Sequence, residues 1–136
     1  MSYAVAAPLQ EALYTRLAGD PAVQALAGDA VYDAVPPGTP PGTFVVVGPE
    51  EVQDRSDATG AGAEHRLRIS VVSAASGFQR AKELAGAVSD ALLASPVPEL
   101  RRGRVVGLWF QRAEAARVRT TGARRIDLFF RVRVED

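Results

Sequence analysis

The chain has 136 residues, 47% of them hydrophobic, with sixteen basic and sixteen acidic side chains and no cysteine. That length suits one domain, residues 1–136, with a real core, and the hydrophobic share excludes global disorder. The missing cysteine removes disulfides, thiolate metal sites and thiol nucleophiles together, and the opening MSYAVAAPLQEALYTRLAGD has neither the basic start nor the apolar run of a signal peptide or membrane span. A soluble protein assembled in the cytoplasm is the expectation.

In chain order, Val5, Leu9, Leu13 and Leu17 recur every four positions and predict a helix from about Val5 to Ala18, with Pro8 tolerated in its first turn and Gly19 ending it. Asp20-Pro21 is a helix start, an N-cap side chain followed by proline, and predicts a short second helix from Pro21 to Ala27 that stops at Gly28. Val31 and Tyr32 suit a short strand. VPPGTPPG, Val35 to Gly42, reads as a stiff, extended connector. Thr43 to Val47 is an apolar strand. Gly48 to Ala63 has no periodicity and reads as a long loop of the kind that often carries function.

His65 to Ser73 alternates as an amphipathic strand, with Leu67, Ile69 and Val71 opposite Arg66, Arg68 and Ser70. Phe78 to Ala94 is the best helical pattern, with Phe78, Ala81, Leu84, Ala85, Val88 and Leu92 on one side. From Gly103 to Asp136 the chain predicts a long antiparallel hairpin that turns at Thr120-Thr121-Gly122. Ile126, Leu128, Phe130, Val132 and Val134 form the apolar face of its second arm. The first arm is less regular, with Val106, Leu108 and Phe110 in phase and Val105 and Trp109 out of it. Each arm is about twice the usual strand length, so the ribbon is expected to project from its domain and hold Arg117, Arg119, Arg124 and Arg125 at its tip. The fold class is α+β: a mostly antiparallel sheet with two main helices packed on one face and a long C-terminal β-hairpin. The unit from strand 65–73 through the helix to strand 104–112 could be a right-handed crossover.

Charge is unevenly placed. Residues 1–65 hold two basic side chains against nine acidic, and residues 66–136 hold fourteen against seven, so the halves carry about −7 and +7. All basic residues but Lys82 are arginine, whose planar, bidentate contacts suit interfaces, although GC-rich coding would give the same bias. Groups that could do chemistry are scarce. His65, the single histidine, reads as an ordinary surface or strand-edge residue, and no metal-ligand spacing or nucleophile elbow accompanies it. TGAGA, Thr59 to Ala63, leads into a strand and lacks the lysine of a phosphate loop. Glu50, Glu51, Asp54 and Asp57 lack EF-hand spacing and read as a solvated or partner-facing acidic group. Arg101, Arg102 and Arg104 read as solvated, and zero net charge without aromatic stacking disfavours a dedicated nucleic-acid binder. The expectation is no enzyme, no cofactor and no metal.

The stretch PLQEALYTRLAGDPAVQALAGDAVYDAVPPGTPPGTFVVVG resembles the N-terminal half of phage tail-completion, or tail-terminator, proteins. The strand HRLRISVVS, the helix GFQRAKELAGAVSDALL and the terminal paired strands are similar too, so the likeness spans nearly the whole chain. It is nearest the versions in gene-transfer-agent particles. The resemblance implies a hexameric ring in a phage-like particle that caps the tail tube and joins it to the head–tail connector or stopper, with DNA passing through the lumen without specific binding and no membrane contact. Another connector or stopper component, or a small monomeric binding module, is the alternative. Glu50, Glu51, Asp54, Asp57, Arg117, Arg119, Arg124 and Arg125 are the candidate interface residues, because opposite charge on the two halves suits a head-to-tail contact.

Overall fold

The four-residue spacing of the first segment buries one side of a helix completely. In the computed structural model, which describes residues 3–34, 42–58 and 60–136, α1 runs Ala6–Gly19 and buries Leu9, Leu13 and Leu17, with Val5 buried just ahead of it. Arg16 fixes the far end, its guanidinium donating to the Ala94 and Pro96 carbonyls at 3.1 and 2.7 Å. α2, Pro21–Ala27, begins as its sequence dictates: Asp20 Oδ2 accepts from the Val23 amide at 3.0 Å, and Pro21 occupies the first helical position. The predicted connector at residues 35–42 lies outside the described residues except for Gly42.

β1, Val31–Tyr32, pairs in parallel with β2, Thr43–Asp54, at Val45 and Val46. β2 is antiparallel to β3, Gly62–Ser73, along its whole length, with one bulge between Gly48 and Glu50. The long loop expected at Gly48–Ala63 is therefore wrong. Most of it is strand, and only residues 55–61 connect the two arms. Its charged residues hid the alternation, and the bulge at Gly48 broke the phase that would have revealed it.

α3, Gln79–Leu93, buries Ala81, Leu84, Ala85, Val88, Ala91 and Leu92. β4, Arg104–Arg117, and β5, Arg124–Glu135, form the expected hairpin, closed by Val118 and Ala123 and turning at Gly122, whose φ of 73° favours glycine. The strand order is β1-β2-β3-β5-β4. β3 and β4 are parallel, as the crossover required, but β5 lies between them. β5 pairs with β3 from Arg124 to Glu135, so the ribbon does not project from its domain; only the turn at residues 118–123 extends past the sheet.

Val45, Val47, Leu67, Ile69, Val71, Ile126, Leu128, Phe130, Val132 and Val134 form one apolar cluster with the buried sides of the helices. His65 is part of this interior, fully buried, which corrects its expected surface position; its Nδ1 lies 3.2 Å from Glu50 Oε2. In β4 the bulges Val105/Gly107 and Phe110/Arg112 explain the irregular pattern. They put Val105, Leu108 and Phe110 on the helix side, rather than Val106 with the latter two. Gly103 admits no side chain, since a Cβ there would lie 2.6 Å from the Glu135 carbonyl and 2.9 Å from Val5.

Candidate assembly surfaces

Alternation along four long strands sends one set of side chains into the core and the other onto a face that carries no helix. That open face holds Arg66, Arg68, Arg112, Arg125, Arg131 and Arg133, interleaved with Glu51, Glu64, Glu114 and Asp127. Neighbours two apart along a strand, and those on adjacent strands, are close enough to pair. Arg66 Nε donates to Glu64 Oε1 at 3.0 Å, and Arg55 Nε stands 3.5 Å from Oε2 of the same carboxylate. These guanidiniums hold the Glu64 carboxyl below its ordinary range: the Arg66 hydrogen bond is the largest cause, and burial opposes it. Asp127 Oδ1 accepts from Ser70 Oγ at 2.6 Å and from Arg125 Nε at 2.9 Å. Arg112 stacks over Phe129 at 3.9 Å and Arg131 over Trp109 at 4.6 Å. Where the hairpin turn leans over this face, Phe44, Val46, Arg68, Ser70, Val118 and Arg125 line an open cavity of about 420 Å³.

The eight candidate interface residues separate in space. Glu50 faces the helix side, where it meets His65 and accepts from the Tyr3 hydroxyl at 3.5 Å. Glu51 is exposed on β2. Asp54 caps the turn after β2, accepting from the Ser56 amide at 3.0 Å and hydroxyl at 2.6 Å, which holds its carboxyl below the ordinary range. Asp57 accepts from the Gly60 amide at 2.9 Å. The acidic residues thus lie along one edge of the sheet and the short connection after it.

The arginines lie at the opposite edge, but not as a free cluster. Arg125 is tied to Asp127 and Ser70. Arg124 donates to the Gly122 carbonyl at 2.6 Å and stands over Phe78 at 5.4 Å. Of the two, only Arg125 has a carboxylate partner within its own subunit, contrary to the expectation that the tip could not be neutralised there; Arg124 meets a carbonyl and a ring, and its Nε is buried with no hydrogen-bond partner among the described residues. Both belong to β5, paired with β3, and not to the turn. Arg117 and Arg119 remain exposed, with no ion pair among the described residues. Arg101, Arg102 and Arg104 are not merely solvated: they pair with Glu11, Asp136 and Glu135.

Sequence reasoning missed a second feature of that edge. Val106, Trp109 and Phe110 of β4 are 46%, 44% and 45% exposed, and from Trp109 to Arg117 the strand is exposed on both faces. The clue was Trp109 falling out of phase. Among the described residues no group of three His, Cys, Asp or Glu side chains converges as a metal site, and no helix is long and apolar enough to cross a membrane.

The sequence from residue 11 to residue 135 matches the family profile described as "Tail completion protein gp17". This chain belongs to the tail completion protein gp17 family. It is a structural protein of a phage-type tail. Among solved structures it is similar to a chain of the "Virion of native gene transfer agent (GTA) particle", at 58% identity and a TM-score of 0.91 over 99% of this chain and 100% of that one. No curated protein matches it.

Proposed function

We propose that the chain, as one domain over residues 1–136, forms the terminator ring of a gene-transfer-agent-like tail. The ring caps the tail tube and joins it to the head–tail connector or stopper. The observation that carries this reading is the end-to-end likeness to a chain of the GTA virion at 58% identity, far above the level at which only fold is shared. A sheet with acidic side chains at one edge and arginines at the other supports it, because such a surface associates head to tail, and a head-to-tail contact repeated by rotation closes a ring. Six copies are expected. DNA passes through the lumen without specific contacts, and no enzymatic step is required of the subunit.

Light scattering of the purified chain, alone and mixed with tail-tube protein, tests the reading. A mass of six copies that binds tube ends supports it. A monomer under both conditions points to the monomeric binding module. A ring that binds only the head-side connector points to a stopper or connector component.

A further inference from the structure

Resting on the ring reading, we infer that neighbouring copies are joined by backbone pairing, the outer edge of β4 in one copy running antiparallel to the outer edge of Gly48–Asp54 in the next. Among the described residues, both edges are unoccupied within the subunit. β4 ends the sheet, and β1 covers β2 only at Val45 and Val46, leaving the rest of β2's outer edge open. A row of unpaired amides and carbonyls is a template for another strand.

Three observations choose a second copy as the occupant. The first is charge: β4 carries Arg104, Arg112 and Arg117 with one carboxylate, Glu114, whereas the open stretch of β2 carries Glu50, Glu51 and Asp54 with no basic residue. The second is exposed apolar area. Val106, Trp109 and Phe110 stand out on the edge strand itself, where a solitary subunit would keep polar groups. The third is direction. β2 and β4 of one copy are antiparallel, so copies related by rotation about an axis to which the strands are only moderately tilted present each other with the antiparallel arrangement.

The bulges add a geometric consequence. In β4 they leave Arg112–Arg117 as the uninterrupted run, and in β2 the bulge at Gly48 leaves Glu50–Asp54. Within one copy these runs lie at opposite ends of the sheet. Arg117 is level with Thr43, through Arg124 and Ser73; Asp54 is level with Val105, through Ala63 and Val134. Bringing the two runs together between copies offsets each sheet along its strands relative to the last. That stagger is what a closed barrel of tilted strands needs.

Amide exchange on the wild-type chain, compared between dilute monomer and assembled ring, is the direct test. Peptides covering 112–117 and 48–54 should slow together on assembly, while the turn at 118–123 stays fast. R112E/R117E and E51R should each weaken self-association about tenfold at low salt, and the chain carrying all three changes should recover most of that loss. Circular dichroism confirms that each variant is folded. If the wild type makes rings in which neither edge slows and the variants assemble normally, the edge pairing is wrong and the ring reading stands. If it stays monomeric with and without tube protein, both fail. If the edges slow only when tube protein is added, the strands pair with the tube and not with a second copy.

Discussion

Glu64 lies beneath guanidinium groups rather than beneath hydrocarbon, and this decides its ionisation. Arg66 and Arg55 face its two oxygens, so the carboxylate stays charged although it is almost fully covered. Its folded pKa is lowered, so its contribution to stability is present above the unfolded value of about 4.3 and is lost as pH falls through the folded value. Glu64→Gln should therefore destabilise the chain at pH 7, and the gap between variant and wild type should narrow below about pH 4. Urea unfolding at a series of pH values checks this; a gap independent of pH would assign the loss to packing alone. In the core, Phe130 is fully buried, whereas Leu128 also floors a groove between α3 and β4. Phe130→Ala should cost about 3–5 kcal/mol, and Leu128→Ala about 2 kcal/mol or a little more, since water can reach part of the space it vacates. Chemical denaturation of both, with equal m-values, measures the ordering.

At the scale of elements, local signals decided what could be read from sequence. Asp20-Pro21 fixed the start of α2 because capping is a contact between near neighbours, and Asp20→Ala should cost about 1 kcal/mol by losing the Val23 amide bond, read as a shift in the denaturation midpoint. The four-residue spacing of the leucines of α1 and the alternation of β5 were equally legible, since each pattern reports burial of a single face. The second half of β2 was not legible. Glu50, Glu51, Gln53 and Asp54 look like a loop, yet they pair with β3 because an exposed edge of a sheet accepts charge on both faces. His65 misled for the converse reason. Its neighbours Glu64 and Arg66 are charged, but its own side chain turns inward to meet Glu50, a partner fifteen positions away that no local window includes. Of the candidate interface, the division into acidic and basic edges was visible in the charge count. What could not be seen was that β5 would place Arg124 and Arg125 within reach of Phe78 and Asp127.

At the scale of the whole molecule, the strand that comes last in the chain is not at the margin. β5 lies between β3 and β4 and contributes five side chains to the core. Until it is in place, β4 has nothing to pair with, and β3 exposes the edge that β5 will occupy. Folding during synthesis can therefore gather the helices and the β2–β3 pair, but cannot complete the sheet before residue 135 has cleared the ribosome. A chain truncated after residue 123 should be a loosely packed species that binds hydrophobic dyes, not a smaller stable domain; sharp, cooperative unfolding of that fragment would contradict this. The order of the strands thus ties one edge to completion of the chain. An unfinished polypeptide lacks the paired β4 edge, so under the proposed edge pairing it would have only the β2 edge to offer a neighbour and could not continue a ring.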